Sequence, residues 1–479
     1  MINYLMVDLG TGNSRVALVS SVGKIIDLIS FENTYYPDHL YADARYFDPD
    51  EWQMRILSAS KTMLERHRDV WVNAISAAGA RETIVLIDKA GKAFYSLPNI
   101  DYRGQEYLNE IPNHQSIYRK SGKWVTEDFD ASKLYGLRKK RPELYGRIDK
   151  ITSLSEWIGQ IFTGQVFCEP SQACETQLYD IHNHRWSSTL CKVYDIDMSI
   201  LPQLRNAGDA IPILPKYKEM LRMTDDAVFI VGGADTQIGV MQTGITNGQI
   251  AVVSGTTSPV VTLTDTAVYD EKQRVWVDSG LGGENYAIET NPGVTGLNYQ
   301  KFVARVCSSM GYAALEKAYA EKASFSCTAA FSSLLFHEQR GLRKGGFFTR
   351  SPMGDGMDMV DMAWAELADI ACSIHEQAVN LQELTGNHPN EIFGCGGGFQ
   401  SPTLCQMLSD LCGVDVVLRG GFDQATLMGL LAVCNATMGE PSYEASDQMI
   451  RYQPRKNQLI HEYQPVWKEN RNRSNGVQG

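Results

Sequence analysis

The sequence predicts an α/β protein in which one domain design occurs twice, and three observations predict it. Residues 4–7 and 16–19 are short apolar runs rich in branched side chains, as strands are, and they flank the turn Asp8-Leu9-Gly10-Thr11-Gly12-Asn13-Ser14-Arg15. About 245 residues later the design returns as 249–253, Ser254-Gly255-Thr256-Thr257-Ser258 and 260–263, the self-similarity that a duplication leaves. A third Gly-rich turn, Gly394-Cys395-Gly396-Gly397-Gly398, ends another apolar strand and leads into a helical stretch. The first domain is then expected over residues 1–246 and the second over 247–467, with 468–479 a polar, frayed tail.

The elements follow in order. Residues 24–29 make a third strand, so the chain opens with an antiparallel meander. Asp48-Pro49 starts a helix to about Leu64, with Asp48 as cap and Pro49 in the first helical position. A buried strand is expected over 70–78, and 83–87 with 93–95 form a hairpin across Lys89-Ala90-Gly91. The pattern is helical from 130 to about 164, interrupted at Pro142, and turn-rich from 168 to 214. Residues 227–231 form a strand that runs into Gly232-Gly233-Ala234-Asp235, then a helix of small residues.

In the second half a strand is expected at 286–289 and helices over 296–310. A Gly-, Ser- and Phe-rich insertion covers 323–356, and a long helix covers 357–385. Helices at 401–412 and 424–438 flank a strand at 414–418.

Composition bounds the function. Of 479 residues 43% are hydrophobic, an ordinary globular share, and the net charge of -12 argues against general nucleic-acid binding, which needs a basic footprint. No apolar stretch approaches the roughly 18 residues of a membrane span, and the N-terminus lacks signal-peptide character. The ten cysteines show no Cys-x-x-Cys pair, so free buried thiols and a cytoplasmic location are expected. His182-Asn183-His184 reads as a surface turn, since no further metal ligands stand nearby.

A tight Gly turn between strands points backbone N–H groups into one small space and so suits phosphate, although glycines in a plain hairpin can simply supply positive φ. Asp8 could hold Mg²⁺ and Arg15 could meet a phosphate oxygen. The triple glycine lets a flat ring approach the backbone. No Gly-x-x-x-x-Gly-Lys-Ser/Thr occurs, and Gly10-x-Gly12-x-x-Arg15 opens a strand where a dinucleotide fingerprint needs a helix. Asp235, at the mouth of a strand, is either a proton acceptor for a substrate hydroxyl or the cap of the following helix. Arg81-Glu82, joined by Asn99, Asp101 and Arg103, form a polar cluster suited to a polyhydroxylated ligand, or to solvent.

Together these motifs resemble the FGGY family of carbohydrate kinases, over nearly the whole chain and in the family's order. The resemblance implies two RNase H-like domains of the actin and hexokinase type, with an interdomain cleft. It implies ATP and Mg²⁺ as cofactors, a small sugar or polyol as substrate, and no nucleic-acid or membrane partner; it leaves room for a homodimer. Asp235 would be the general base and Asp8 would place Mg²⁺. Thr11, Gly12, Asn13, Arg15, Gly255 and Thr256 would hold the phosphates, and Gly396, Gly397, Gly398 and Gln400 would line the adenosine pocket. Arg81, Glu82, Asp101 and Asp128 would bind substrate hydroxyls.

The departures bear on the substrate. The Met-His pair of xylulokinases is replaced around Gly79-Ala80-Arg81. Asn99 and Ile100 stand where glycerol kinases have Trp and Gln, and Asp128 falls where they place a tyrosine. The stretch after Asp235 and residues 152–164 look more like autoinducer-2 kinases. The expected substrate is a ketose, a polyol or a linear dihydroxyketone. The alternative is a non-enzymatic, nucleotide-responsive module, chaperone-like or sugar-sensing; the presence of both Asp8 and Asp235 speaks against it.

Overall fold

The structure is a computed structural model that describes residues 2–283, 285–332, 345–352, 357–441 and 449–476. Its contacts divide the chain into two units. The first comprises Met1–Met241, Val277–Ala287 and Thr426–Glu444, and the second Gln242–Trp276, Ile288–Ala425 and Ala445–Gly479.

The first unit is built on a sheet of β1 (Asn3–Leu9), β2 (Asn13–Ser20), β3 (Ile25–Glu32), β4 (Val72–Gly79), β5 (Ala210–Pro212) and β6 (Met223–Ala234), in the order β5-β6-β4-β1-β2-β3. The β1-β2-β3 meander is antiparallel, as expected, whereas β1, β4 and β6 run parallel. Alternation between two covered faces explains why β1 is buried throughout. Leu5, Val7 and Leu9 enter one core, roofed by the helices Pro49–Arg66 and Leu154–Thr163. Tyr4 and Met6 enter another, filled by Leu427, Leu430 and Leu431 of the helix Ala425–Met438. Both faces are covered, which is what a run of parallel strands requires.

The first helix starts as its sequence dictates: Asp48 accepts the N–H groups of Asp50 and Glu51, and Pro49 occupies the first turn. One expectation is corrected in the region 130–164. Helices Asp130–Lys140, Pro142–Tyr145 and Leu154–Thr163 form there, but Lys150–Ser153 is a strand. It pairs antiparallel with Ile84–Ile87, so a sheet edge decides what local pattern left helical.

The second unit repeats the design. Strands β7 (Ile250–Val253), β8 (Val260–Thr264), β9 (Glu391–Cys395), β10 (Asp415–Leu418) and β11 (Ile450–Tyr452) follow the order β8-β7-β9-β10-β11. β7 is antiparallel to β8 and parallel to β9, just as β1 is antiparallel to β2 and parallel to β4. Within the stretch read as an insertion, Cys327–Ala330 pairs with Gly346–Thr349, while 333–344 and 353–356 lie outside the described residues. The tail read as frayed continues a helix, Gln458–Gly476. Trp467 Nε1 and Arg471 donate to Asp369 at 2.6 and 3.1 Å, and Arg471 is 2% exposed. A buried carboxylate thus gives a polar segment its anchor.

Candidate active site

Three parallel strands end side by side. Leu9 of β1, Gly79 of β4 and Ala234 of β6 lie in one row across the sheet, so Asp8, Arg81 and Asp235 gather at its carboxyl edge. Such edges are where open α/β sheets bind ligands. The glycines before Asp235 are demanded by this packing: a Cβ on Gly232 would lie 2.0 Å from the Ala77 carbonyl oxygen.

Asp235 is the first residue of the helix Asp235–Thr243. Its Oδ1 accepts the N–H of Thr236 at 2.7 Å, one residue on, whereas a helix cap takes the N–H two or three residues on. Burial lifts its carboxyl to about 6, against the pull of Arg81 and with the nearby charge of Asp8 adding to the rise. A carboxyl so placed is a usable proton acceptor near neutral pH.

The β1-β2 turn offers donors. Asp8 is buried and forms an ion pair with its cross-strand partner Arg15. The turn's carbonyls are taken: Gly10 O by Asn33 Nδ2 (2.7 Å), Thr11 O by the Tyr35 hydroxyl (2.8 Å), Gly12 O by Asn33 N–H (3.0 Å) and Asn13 O by Gly10 N–H (3.1 Å). Among the described residues no acceptor takes the N–H of Thr11 or Gly12. Gly12 and Asn13 are exposed, and a Cβ on Gly12 would meet nothing within 4 Å. With carbonyls held back and N–H groups outward, the turn has the polarity of an anion nest.

Below Arg81 lies a cluster that the sequence did not reveal. Arg81 is 3.4 Å from Glu175 and 3.9 Å from Asp278, and the fully buried Lys123 is 3.1 Å from Glu175 and also pairs with Asp278. Burial works against the Lys123 charge, but Asp278 and Glu175 more than offset it and hold the amine above its ordinary value. Two cations and two carboxylates balance one another, the condition under which buried charge is tolerated. Cys174 joins Glu175 and Asp278 in a set with metal-ligand spacing, but the Lys123 ammonium already occupies the position a cation would take.

Glu82 adopts φ +49°, a conformation few side-chain-bearing residues take, and Lys133 Nζ donates to its carbonyl. Burial lifts its carboxyl to about 7 against Arg81, Lys123 and Lys133, with Asp128 adding to the rise. Asp128 accepts from Thr126 Oγ1 at 2.8 Å, and burial raises it too. Arg81, Glu82, Asp128 and Asp235 therefore share one electrostatic neighbourhood. Asp101 does not join them: it is 0% exposed, with Oδ1 accepting Arg45 N–H (3.0 Å) and Oδ2 accepting Arg103 Nε (2.6 Å). Both of its carboxylate oxygens are thus engaged inside the fold.

The second unit joins its two expected nucleotide motifs. Ser254 N–H donates to Cys395 O (2.8 Å) and Gly398 N–H donates to Ser254 O (3.0 Å). A Cβ on Gly396 or Gly398 would lie 2.4 Å from Ser254 O or 2.1 Å from Ser254 Oγ, and Gly396 has φ +94°. Gly255, Thr256, Gly397 and Gln400 are exposed around this contact.

The pattern of the FGGY family of carbohydrate kinases matches residues 3–242 for its N-terminal domain and 250–438 for its C-terminal domain. The chain belongs to the FGGY family of carbohydrate kinases. A relative from Bacillus subtilis (strain 168), named "Putative sugar kinase YoaC", is 35% identical over 469 residues, covering 97% of this chain and 96% of the relative. A "Xylulose kinase" of Staphylococcus xylosus is 25% identical, covering 92% of each chain. The ligand-bound xylulose kinase of Lactobacillus acidophilus superposes with a TM-score of 0.85 at 18% identity, covering 99% of this chain and 98% of that one. This FGGY kinase is thus a phosphotransferase that takes ATP as donor and a small-molecule sugar as acceptor, and nothing in these similarities supports the non-enzymatic alternative. No helix among the described residues is long and apolar enough to cross a membrane.

Proposed function

We propose that this FGGY kinase transfers the γ-phosphate of ATP to a hydroxyl of a small ketose, polyol or linear dihydroxyketone, with Asp235 as general base. The observation that carries the proposal is the Asp235 carboxyl, held at about 6 at the end of β6 beside Arg81 and Asp8. Arg81 donates hydrogen bonds, whereas Glu82 and Asp128 accept them, and that mixture fits a chain of hydroxyls. Asp235 takes the proton of one hydroxyl as its oxygen bonds to the γ-phosphorus, the bond to the bridging oxygen breaks, and ADP leaves.

In the first unit Thr11, Gly12, Asn13 and Arg15 are assigned to phosphate, and in the second Gly255 and Thr256. Gly396, Gly397, Gly398 and Gln400 form the adenosine pocket: Gly396 and Gly398 close on Ser254, while Gly397 leaves open backbone against which a flat ring can lie. Asp8 fits Mg²⁺: it is a buried oxygen donor whose charge already lifts Asp235, a repulsion that a hard divalent cation relieves. When bound, the ion supplies neutralisation of the phosphate charge.

ADP release across a panel of ketoses, polyols, L-sugars and linear dihydroxyketones tests the proposal. Ketopentoses head the panel because the similar Staphylococcus xylosus enzyme is named for xylulose. Release that depends strictly on one acceptor class is expected; ATP turnover indifferent to every acceptor would contradict it.

A further inference from the structure

The hairpin Ile84–Ile87 and Ala93–Leu97 delivers Asn99 to the rim of the first turn. Its backbone N–H donates to Thr83 Oγ1 at 3.0 Å, and Thr83 Oγ1 donates to Arg81 O at 3.2 Å. Its side-chain Nδ2 donates to Thr11 Oγ1 at 2.7 Å. An unbroken line of hydrogen bonds thus joins the strip that carries Arg81 and Glu82 to the turn that carries Thr11 and Gly12. Thr83 is 2% exposed, so the middle of the line is shielded from water.

The polarity of this line has a chemical consequence. An amide nitrogen only donates, so the Thr11 oxygen is the acceptor towards Asn99. The single hydroxyl hydrogen of Thr11 is left to donate elsewhere. The Thr11 carbonyl is already taken by Tyr35, and the neighbouring Gly12 is exposed with its N–H unclaimed among the described residues. The hydroxyl therefore adds a third donor to the two N–H groups of the nest.

We propose that Asn99 is a positioning residue, which sets the Thr11 hydroxyl as a phosphate donor and ties the phosphate turn to the acceptor strip. The inference rests on the assignment of Thr11 to ATP phosphate in the proposed function.

The test uses the full chain with Asn99→Asp, Asn99→Ala, Thr11→Val and the double variant Asn99→Ala/Thr11→Val, each checked for wild-type circular dichroism. Asn99→Asp keeps the side-chain size but replaces the donor by an acceptor, which claims the Thr11 hydrogen and sets a charge beside the phosphates. It is expected to weaken ATP binding in calorimetry by about tenfold or more, the scale of a hydrogen bond to a charged group. The kcat of Asn99→Ala should fall while its acceptor KM stays within about twofold, since its partner is the turn and not the sugar. In the Thr11→Val background Asn99→Ala should cost nothing further, because a shared interaction is lost only once.

ATP binding by Asn99→Asp within about twofold of wild type, or fully additive losses in the double variant, would overturn the inference. Calorimetry with ATP alone needs no acceptor. If wild type phosphorylated nothing in the panel yet Asn99→Asp still bound ATP more weakly, the acceptor assignment would fail and the role of Asn99 would stand.

Discussion

At the scale of single residues, Asp235 as the proposed base is expected to set the pH dependence. Burial raises its carboxyl to about 6 and Asp8 adds to the rise, with Arg81 opposing. A base must be ionised to accept a proton, so activity is present above this value and lost below it. We predict that kcat/KM falls about tenfold per pH unit below about pH 6. A profile flat from about pH 5 to 8 would show that no group with this pKa carries the reaction. Glu82, lifted to about 7, stands near Arg81 and is better suited to a hydrogen-bonding role with a sugar hydroxyl, since either of its protonation states can make such a bond. Lys123 is linked to Arg81 at one remove, because Glu175 and Asp278 pair with both cations.

At the scale of elements, the turns do their work through backbone clearance. The three glycines after β9 are not equivalent. A Cβ on Gly398 would collide with Ser254 Oγ at 2.1 Å, whereas one on Gly397 would meet nothing within 4 Å. Overpacking of a tight contact costs about 1–3 kcal/mol. Gly398→Ala should therefore lower the melting temperature and raise the KM for ATP together, because the same contact seats the second Gly-Thr turn. Gly397→Ala should melt like wild type and weaken ATP alone, if the adenine ring lies on this backbone as proposed. Thermal melts alongside ATP titrations separate the two, and equal melting temperatures for both variants would refute this division of labour.

At the scale of the whole molecule, what was legible in the sequence was local and what was not was assembled from distant segments. The strand–turn–strand units at Asp8–Arg15 and Ser254–Ser258, the glycines at 396–398 and the Gly232-Gly233-Ala234-Asp235 segment each carry their signal within a few residues. The two Gly-Thr turns sit at matching positions of the repeated sheets, after β1 and after β7, whereas the glycines at 396–398 follow β9 and Asp235 follows β6. The Lys123–Asp278 pair spans 155 positions, and Glu175 belongs to the turn-rich stretch where no periodicity marks a buried face. The surroundings of Asp101 were hidden for a related reason: its partner Arg103 is two residues on, but only the fold shows both residues sealed from solvent. The first unit likewise draws on Thr426–Glu444, whose helix supplies Leu427 and Leu430 to the core under Tyr4 and Met6. No linear cut of the sequence announces that.

The central proposal is that a proton leaves a sugar hydroxyl for Asp235. The most direct measurement is the rate of acceptor-dependent ADP release by Asp235→Asn at about pH 8, where the native carboxyl is ionised. The asparagine keeps the shape and removes the base, so the rate is predicted to fall by about 10²–10⁴-fold in a variant that folds as wild type does. A folded Asp235→Asn enzyme that kept its rate within about tenfold of wild type would contradict the assignment of Asp235 as the base.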